Sequence, residues 1–238
     1  MKKGFLKTAF DAATGTAGYA AERTIGKYLE RKDDVEFPSP AAVPLTSGES
    51  ALLKSIFGNE INTSIIRKHF AEAASPYAIA ATFSSSKVKF YGKQNHSPDY
   101  SQTKDTFNYW TFVHEMTHAW QYQHPVQDFS RSVNAPTREY GYELSPKKRF
   151  QDFGVEQQAS IVADYAQQFI YEGPYKPANQ NNGLYMPAET DNFKPQSLDL
   201  LQKVIEDRFP VARNTRLKLE AKKSSGPATP PPQTKWGF

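Results

Sequence analysis

The sequence predicts an α+β fold in which a small β-sheet packs against helices, and three observations carry that prediction. Three β-rich runs lie between residues 61 and 91. A segment over 106–123 is rich in large apolar residues and free of Gly and Pro, which marks a buried helix. A second apolar-periodic segment over 153–171 carries Val155, Ala159, Ile161, Val162, Ala166 and Phe169 at helical spacing.

At 238 residues, 38% of them hydrophobic and 13% aromatic, the chain is long enough for one domain with a proper core. No apolar run reaches the length needed to span a bilayer. With no cysteine, the chain has neither disulfides nor thiolate ligands, so any metal site must use His and carboxylates. The formal net charge of +4 comes from the ends. Residues 1–34 balance at +2 and residues 211–238 at +5, which leaves 35–210 at −3. A basic surface for nucleic acid on the folded part is therefore not expected.

Taken in order, residues 4–31 read as an Ala-rich amphipathic helix within an N-terminal segment, 1–34. Its apolar positions are broken by Lys7, Thr8 and Asp11, so the uninterrupted core of a signal peptide is missing. Pro38, Pro40 and Pro44 make 35–44 a linker. Thr46 with Glu49 three residues on is a capping box for a helix ending at Phe57, stopped by Gly58. Residues 61–70 read as a strand around Ile61, Ile65 and Ile66. Residues 77–83 and 87–91, separated by Ser84, Ser85 and Ser86, read as a hairpin. Asp99 and His96 fall in a polar loop, Pro125 ends the 106–123 helix, and 125–150 and 173–195 are loop-rich. A last amphipathic helix covers 198–209. The basic, Pro-rich stretch 211–238 reads as a disordered tail.

The chemistry concentrates in His114, Glu115, Met116, Thr117 and His118, a His-Glu-x-x-His pattern on the expected helix. Residues four apart share a helix face, so His114 and His118 can present two imidazoles to one ion. Zinc suits two imidazoles plus a carboxylate, with one position left open, and Glu115 is placed to act as general base. A third protein ligand is then needed. Glu156 opens the next helix, and Asp164 falls within about 80° of it on the same face, able to orient a ligand histidine through its other ring nitrogen. A Glu on a second helix gives the gluzincin arrangement, a zincin-like domain over 45–210. The rival is His124, at metzincin spacing, with Met186 as a conceivable Met-turn residue. Gln121 stands where that turn calls for Gly and weighs against it.

Three blocks, residues 45–62, 114–121 and 154–165, resemble the bacterial vgr-related proteins, small zinc metallopeptidases related to a domain found with extracellular contractile injection systems. The resemblance covers roughly 45–172. It implies zinc held by His114, His118 and Glu156, Glu115 as catalytic base, and a link to type VI secretion.

The function expected is hydrolysis of a peptide or amide bond by metal-activated water. Tyr140, Tyr142 or Tyr165 are candidates to steady the oxyanion, and strand 87–91 is the expected edge for an extended peptide. Expected partners are a peptide, protein or peptidoglycan stem-peptide substrate, with a secretion carrier or immunity protein, and no nucleic acid. The chain is expected to be made in the bacterial cytoplasm and translocated to a target cell's periplasm. The competing expectation is a non-hydrolytic adaptor with a closed structural zinc site.

Overall fold

The computed structural model describes residues 42–72, 79–124, 141–171 and 198–224. The expected helix at 4–31, Tyr140, Met186 and the end of the chain beyond Ser224 lie outside the described residues. In chain order the elements are β1 (Val43–Pro44), α1 (Ser47–Phe57), β2 (Arg67–Ala71), β3 (Ala80–Thr82), β4 (Lys87–Tyr91), α2 (Thr106–Gln123), α3 (Val155–Phe169), α4 (Leu198–Arg208) and α5 (Pro210–Ser224). The expected α+β class is observed, with one four-stranded sheet and five helices among the described residues.

The sheet order is β1-β2-β4-β3. β1 and β3 run antiparallel to their neighbours, whereas β2 and β4 are parallel, with Lys68 opposite Val88 and Phe70 opposite Phe90. The β3–β4 hairpin turns at the serines, where Ser84 Oγ accepts from the amides of Ser86 and Lys87. β4 is thus an interior strand. The expectation that 87–91 forms the peptide-binding edge is corrected, because β3 occupies that edge.

Two further expectations change. Of the 61–70 run only the part from Arg67 on is strand, as β2 (Arg67–Ala71). Asn62 Oδ1 accepts from Ser64 N at 3.2 Å and from its hydroxyl at 2.7 Å, a local turn that competes with the sheet ladder. Ile61 and Ile66 still reach the core from that turn. The supposed tail begins as helix α5, and Val43–Pro44 of the supposed linker is a strand. Pro210 suits a first helical position, Ala212 is buried, and Thr215 Oγ1 donates to Ser55 O of α1 at 2.9 Å. Gly58, with φ at 61°, ends α1 beside Val211, where a left-handed backbone favours glycine.

The core forms around α2, whose apolar side chains face in several directions. Phe112 stacks on Tyr100 at 4.9 Å, which stacks on Phe90 of β4 at 4.6 Å. Trp120 stacks on Phe57 at 5.6 Å and meets Phe209 edge-on at 5.2 Å. Such ring pairs add about 0.5–1.5 kcal/mol each beyond their area burial. α2 starts at Asp105, which accepts from the amides of Phe107 and Asn108. α3 lies antiparallel along it, joined by a ladder of polar contacts. Gln167 Nε2 donates to Thr106 O, Trp110 Nε1 to Asp164, and Gln121 Nε2 to Val155 O. Glu156 meets His114 and His118 between those rungs.

Candidate metal centre

His114 and His118 stand one turn apart on α2, and Glu156 is the second residue of α3. Their contacting atoms form a near-equilateral triangle. His114 Nε2 and His118 Nε2 are 3.1 Å apart, and Glu156 Oε2 lies 3.2 Å from the first and 3.1 Å from the second. Among the described residues this is the cluster of three metal-capable side chains. A tetrahedral zinc ion with bonds of about 2.0–2.1 Å needs ligand atoms about 3.3 Å apart, so the donor set fits by type and spacing.

Each imidazole is held from behind. His118 Nδ1 lies 2.8 Å from Gln121 Oε1. The amide of Gln121 cannot be reversed, because its Nε2 faces two acceptors, Val155 O at 3.1 Å and Gln158 Oε1 at 3.0 Å. Nδ1 of His118 therefore donates, and in the neutral ring the lone pair lies on Nε2, turned toward the triangle. The ring of His114 stacks on Trp110 at 4.8 Å with planes 24° apart. Trp110 Nε1 donates to Asp164 Oδ1 at 2.7 Å, and Tyr142 Oη donates to Asp164 Oδ2.

Glu115 is buried on the side of α2 facing β3. Its Oε2 lies 2.7 Å from Thr82 Oγ1, which also sits 2.8 Å from the Glu115 backbone carbonyl. The one hydroxyl proton faces both acceptors, so the edge strand ties the carboxylate at Oε2 and the helix backbone beside it.

The electrostatics follow from crowding. Burial pushes against charge on Glu156, yet the imidazoles of His118 and His114 hold its carboxyl well below the usual carboxylate range. Burial likewise opposes charge on His118, and the neighbouring Glu156 carboxylate outweighs it, pushing the imidazole up to about 9, with Glu115 adding to the effect. Burial raises Asp164 against the pull of its Tyr142 and Trp110 donors.

The structure thus brings His114, His118 and Glu156 to one point, with Glu115 beside them. His124, the rival ligand, lies at the end of α2, its ring stacked on Trp120 at 5.5 Å and its Nδ1 3.2 Å from Trp120 O. His96 is held by Phe90 O and Phe70. Asp164 touches the site through Trp110. Tyr165 Oη donates to Glu206 at 3.0 Å, between α3 and α4, and Tyr142 spends its hydroxyl on Asp164. Thr82, Trp110 and Gln121 escaped the sequence reading as site residues. Of these only Gln121 and Trp110 leave a trace in the sequence, by lying three residues after His118 and four before His114.

No protein-family model matches the chain. Over 187 residues, 74% of the chain, it is 27% identical to the type VI secretion system spike protein VgrG2b of Pseudomonas aeruginosa. The matched region spans 18% of that protein's length. Among solved structures it matches the effector domain of Pseudomonas aeruginosa VgrG2b at 27% identity, covering 68% of this chain and 92% of that one, with a TM-score of 0.49. The sequence similarity relates the chain to part of a type VI secretion spike protein.

Proposed function

We propose that the chain is a zinc-dependent metallopeptidase or peptide amidase that serves as a type VI secretion effector. The observation that carries this reading is the triangle of His114, His118 and Glu156 donor atoms, 3.1–3.2 Å on a side and built from two helices. Zinc bound there supplies Lewis acidity toward a scissile carbonyl and lowers the pKa of water. Glu115 takes the proton of the attacking water and returns it to the leaving amine, with Thr82 holding its carboxylate in place. Gln121 accepts from His118 Nδ1 and so sets the tautomer whose Nε2 faces the triangle, and Trp110 backs the ring of His114. β3 is the sheet edge next to Glu115, so an extended peptide added to it runs past the base. Peptides, proteins and peptidoglycan stem peptides all fit such an edge, and the target cell's periplasm is the place where the last are met. A secretion carrier and an immunity protein complete the proposed partners. Among the described residues, no helix is long and apolar enough to cross a membrane.

The adaptor reading requires a closed site with a fourth protein ligand. Its best candidate, His124, is engaged with Trp120 instead. The deciding experiment combines zinc stoichiometry with assays on casein and purified peptidoglycan. Glu115→Gln should keep one zinc per chain and lose hydrolysis, whereas His118→Ala and Glu156→Ala should lose the metal. Retained turnover in Glu115→Gln sinks the base assignment, and zinc lost in His124→Ala but kept in Glu156→Ala sinks the ligand set.

A further inference from the structure

α3 presents two carboxylates along one stripe. Glu156 enters the triangle, but Asp164, two turns later, meets none of the three donor atoms and faces Trp110 and Tyr142. A carboxylate withdrawn from water is expensive to keep unless donors meet it, and both of its oxygens are met. Its first donor, Trp110, lies one helical turn before His114 and lays its ring on that imidazole at 4.8 Å. Its second donor, Tyr142, belongs to the segment that returns to α3 at Gly141, whose carbonyl accepts from Gln157 Nε2 at 2.7 Å. His118 has its own support in Gln121, a direct hydrogen bond to the ring. His114 has an aromatic plate against its face, and the Trp110 ring that forms the plate is hydrogen-bonded to Asp164.

We propose that Asp164 and Trp110 are a positioning pair for His114. The carboxylate fixes the indole, the indole face fixes the imidazole with Nε2 toward Glu156 and His118, and Tyr142 is a second strut on the same carboxylate. The inference rests on the metal reading above and extends it to two residues that do not touch the ion. Asp164 thereby orients a ligand histidine through Trp110, rather than through the ring nitrogen that the sequence suggested.

The pair predicts a specific pattern in zinc affinity, measured on the full chain by competition with a chromophoric chelator. Trp110→Phe keeps a ring against His114 but loses the tether, and Asp164→Leu removes the acceptor. Each should weaken zinc binding on the order of tenfold, the scale of losses when a group supporting a metal ligand is removed. The double variant should be no weaker than the weaker single, because both act through one bond. Asp164→Asn keeps an oxygen for Trp110 and an amide for Tyr142, so it should bind zinc within about twofold of wild type. The visible spectrum of the cobalt-loaded chain should shift in Trp110→Phe and Asp164→Leu and not in Asp164→Asn. A purely structural staple would instead lower the Tm of the metal-free chain while leaving zinc affinity and the cobalt spectrum unchanged, and that result overturns the proposal. Should Asp164→Leu not fold, Trp110→Phe decides alone. If wild type takes up no zinc, or His118→Ala keeps it, the metal reading falls and takes this inference with it. Normal zinc uptake in wild type with unchanged affinity in Trp110→Phe brings down the positioning pair only.

Discussion

At the scale of single residues, the base and its neighbour make the sharpest case. Glu115 is buried, and a carboxylate there needs a donor; Thr82 is the one seen at 2.7 Å. A hydrogen bond to a charged group contributes about 1.5–3 kcal/mol. Thr82→Val keeps the shape and removes the hydroxyl, so zinc content should hold while kcat falls at least tenfold, and Thr82→Ser should recover most of it. An equal loss in the serine variant would show that the methyl group, and not the hydroxyl, matters. This pair also marks the limit of what a sequence discloses. His114, Glu115 and His118 are legible because helix geometry alone places them together. Glu156 is legible as a carboxylate opening the next apolar-periodic helix. Thr82 is not, because its partner lies 33 residues on, and a Thr in a short β-rich run has no local reason to be singled out. Gln121 was visible only as an absent Gly, whereas its contacts with His118, Val155 and Gln158 make it the pin between α2 and α3.

At the scale of elements, the join between α1, β2 and the loop before α2 is a buried ion pair. Lys68 Nζ lies 2.6 Å from Glu49 Oε1, both side chains at 0% exposure. The same Glu49 oxygen accepts from Tyr100 N at 2.9 Å, and its other oxygen accepts from Thr46 N. The capping box was readable from Thr46 and Glu49 alone, but the lysine was not, since a Lys in an alternating strand ordinarily faces water. Removing one partner strands the other charge in the core, which typically costs 3–5 kcal/mol. Lys68→Met should therefore lower stability by about 3–5 kcal/mol in urea unfolding. Adding Glu49→Leu should restore a large part of that loss, despite the broken cap, because no buried charge then remains unpaired. A double variant as unstable as the single would show that the cap and the Tyr100 amide dominate this join. The 61–66 stretch teaches the converse lesson: its isoleucines were rightly read as core, but Asn62 turns the chain locally, and hydrophobic alternation alone does not report such a turn.

At the scale of the whole molecule, the second half of the fold is closed by charges that composition made look like a tail. Arg216 of α5 grips Glu206 of α4 through Nε at 2.6 Å and Nη2 at 3.1 Å, and also reaches Glu220 at 2.9 Å. Arg208 binds Glu60 through two nitrogens, at 2.8 and 2.6 Å, and lies over Trp120 and Phe209. A count of basic residues cannot see that these cations have partners on other elements, and for that reason 211–224 was misjudged. The Arg208–Glu60 clasp gives a pH-dependent test of this closure. Arg208 donates to Glu60 and holds its carboxyl below the ordinary 4.5, with burial working the other way. A depressed folded-state value means that the unfolded chain binds more protons as the pH falls. The clasp's contribution is therefore fully present above pH 4.5 and fades as the pH drops through the lower, folded value. Both partners are partly exposed, so the contribution at neutral pH should stay near or below about 1 kcal/mol. Thermal unfolding of wild type and Glu60→Gln, both with chelator present so that the metal centre does not contribute, should differ most at pH 6–7. The two curves should converge toward pH 3. A gap that stays constant down to pH 3 would mean that Glu60 acts by packing against Trp120 and not by its charge. A gap that widens would mean that the carboxyl is raised on folding, which the geometry of the clasp forbids.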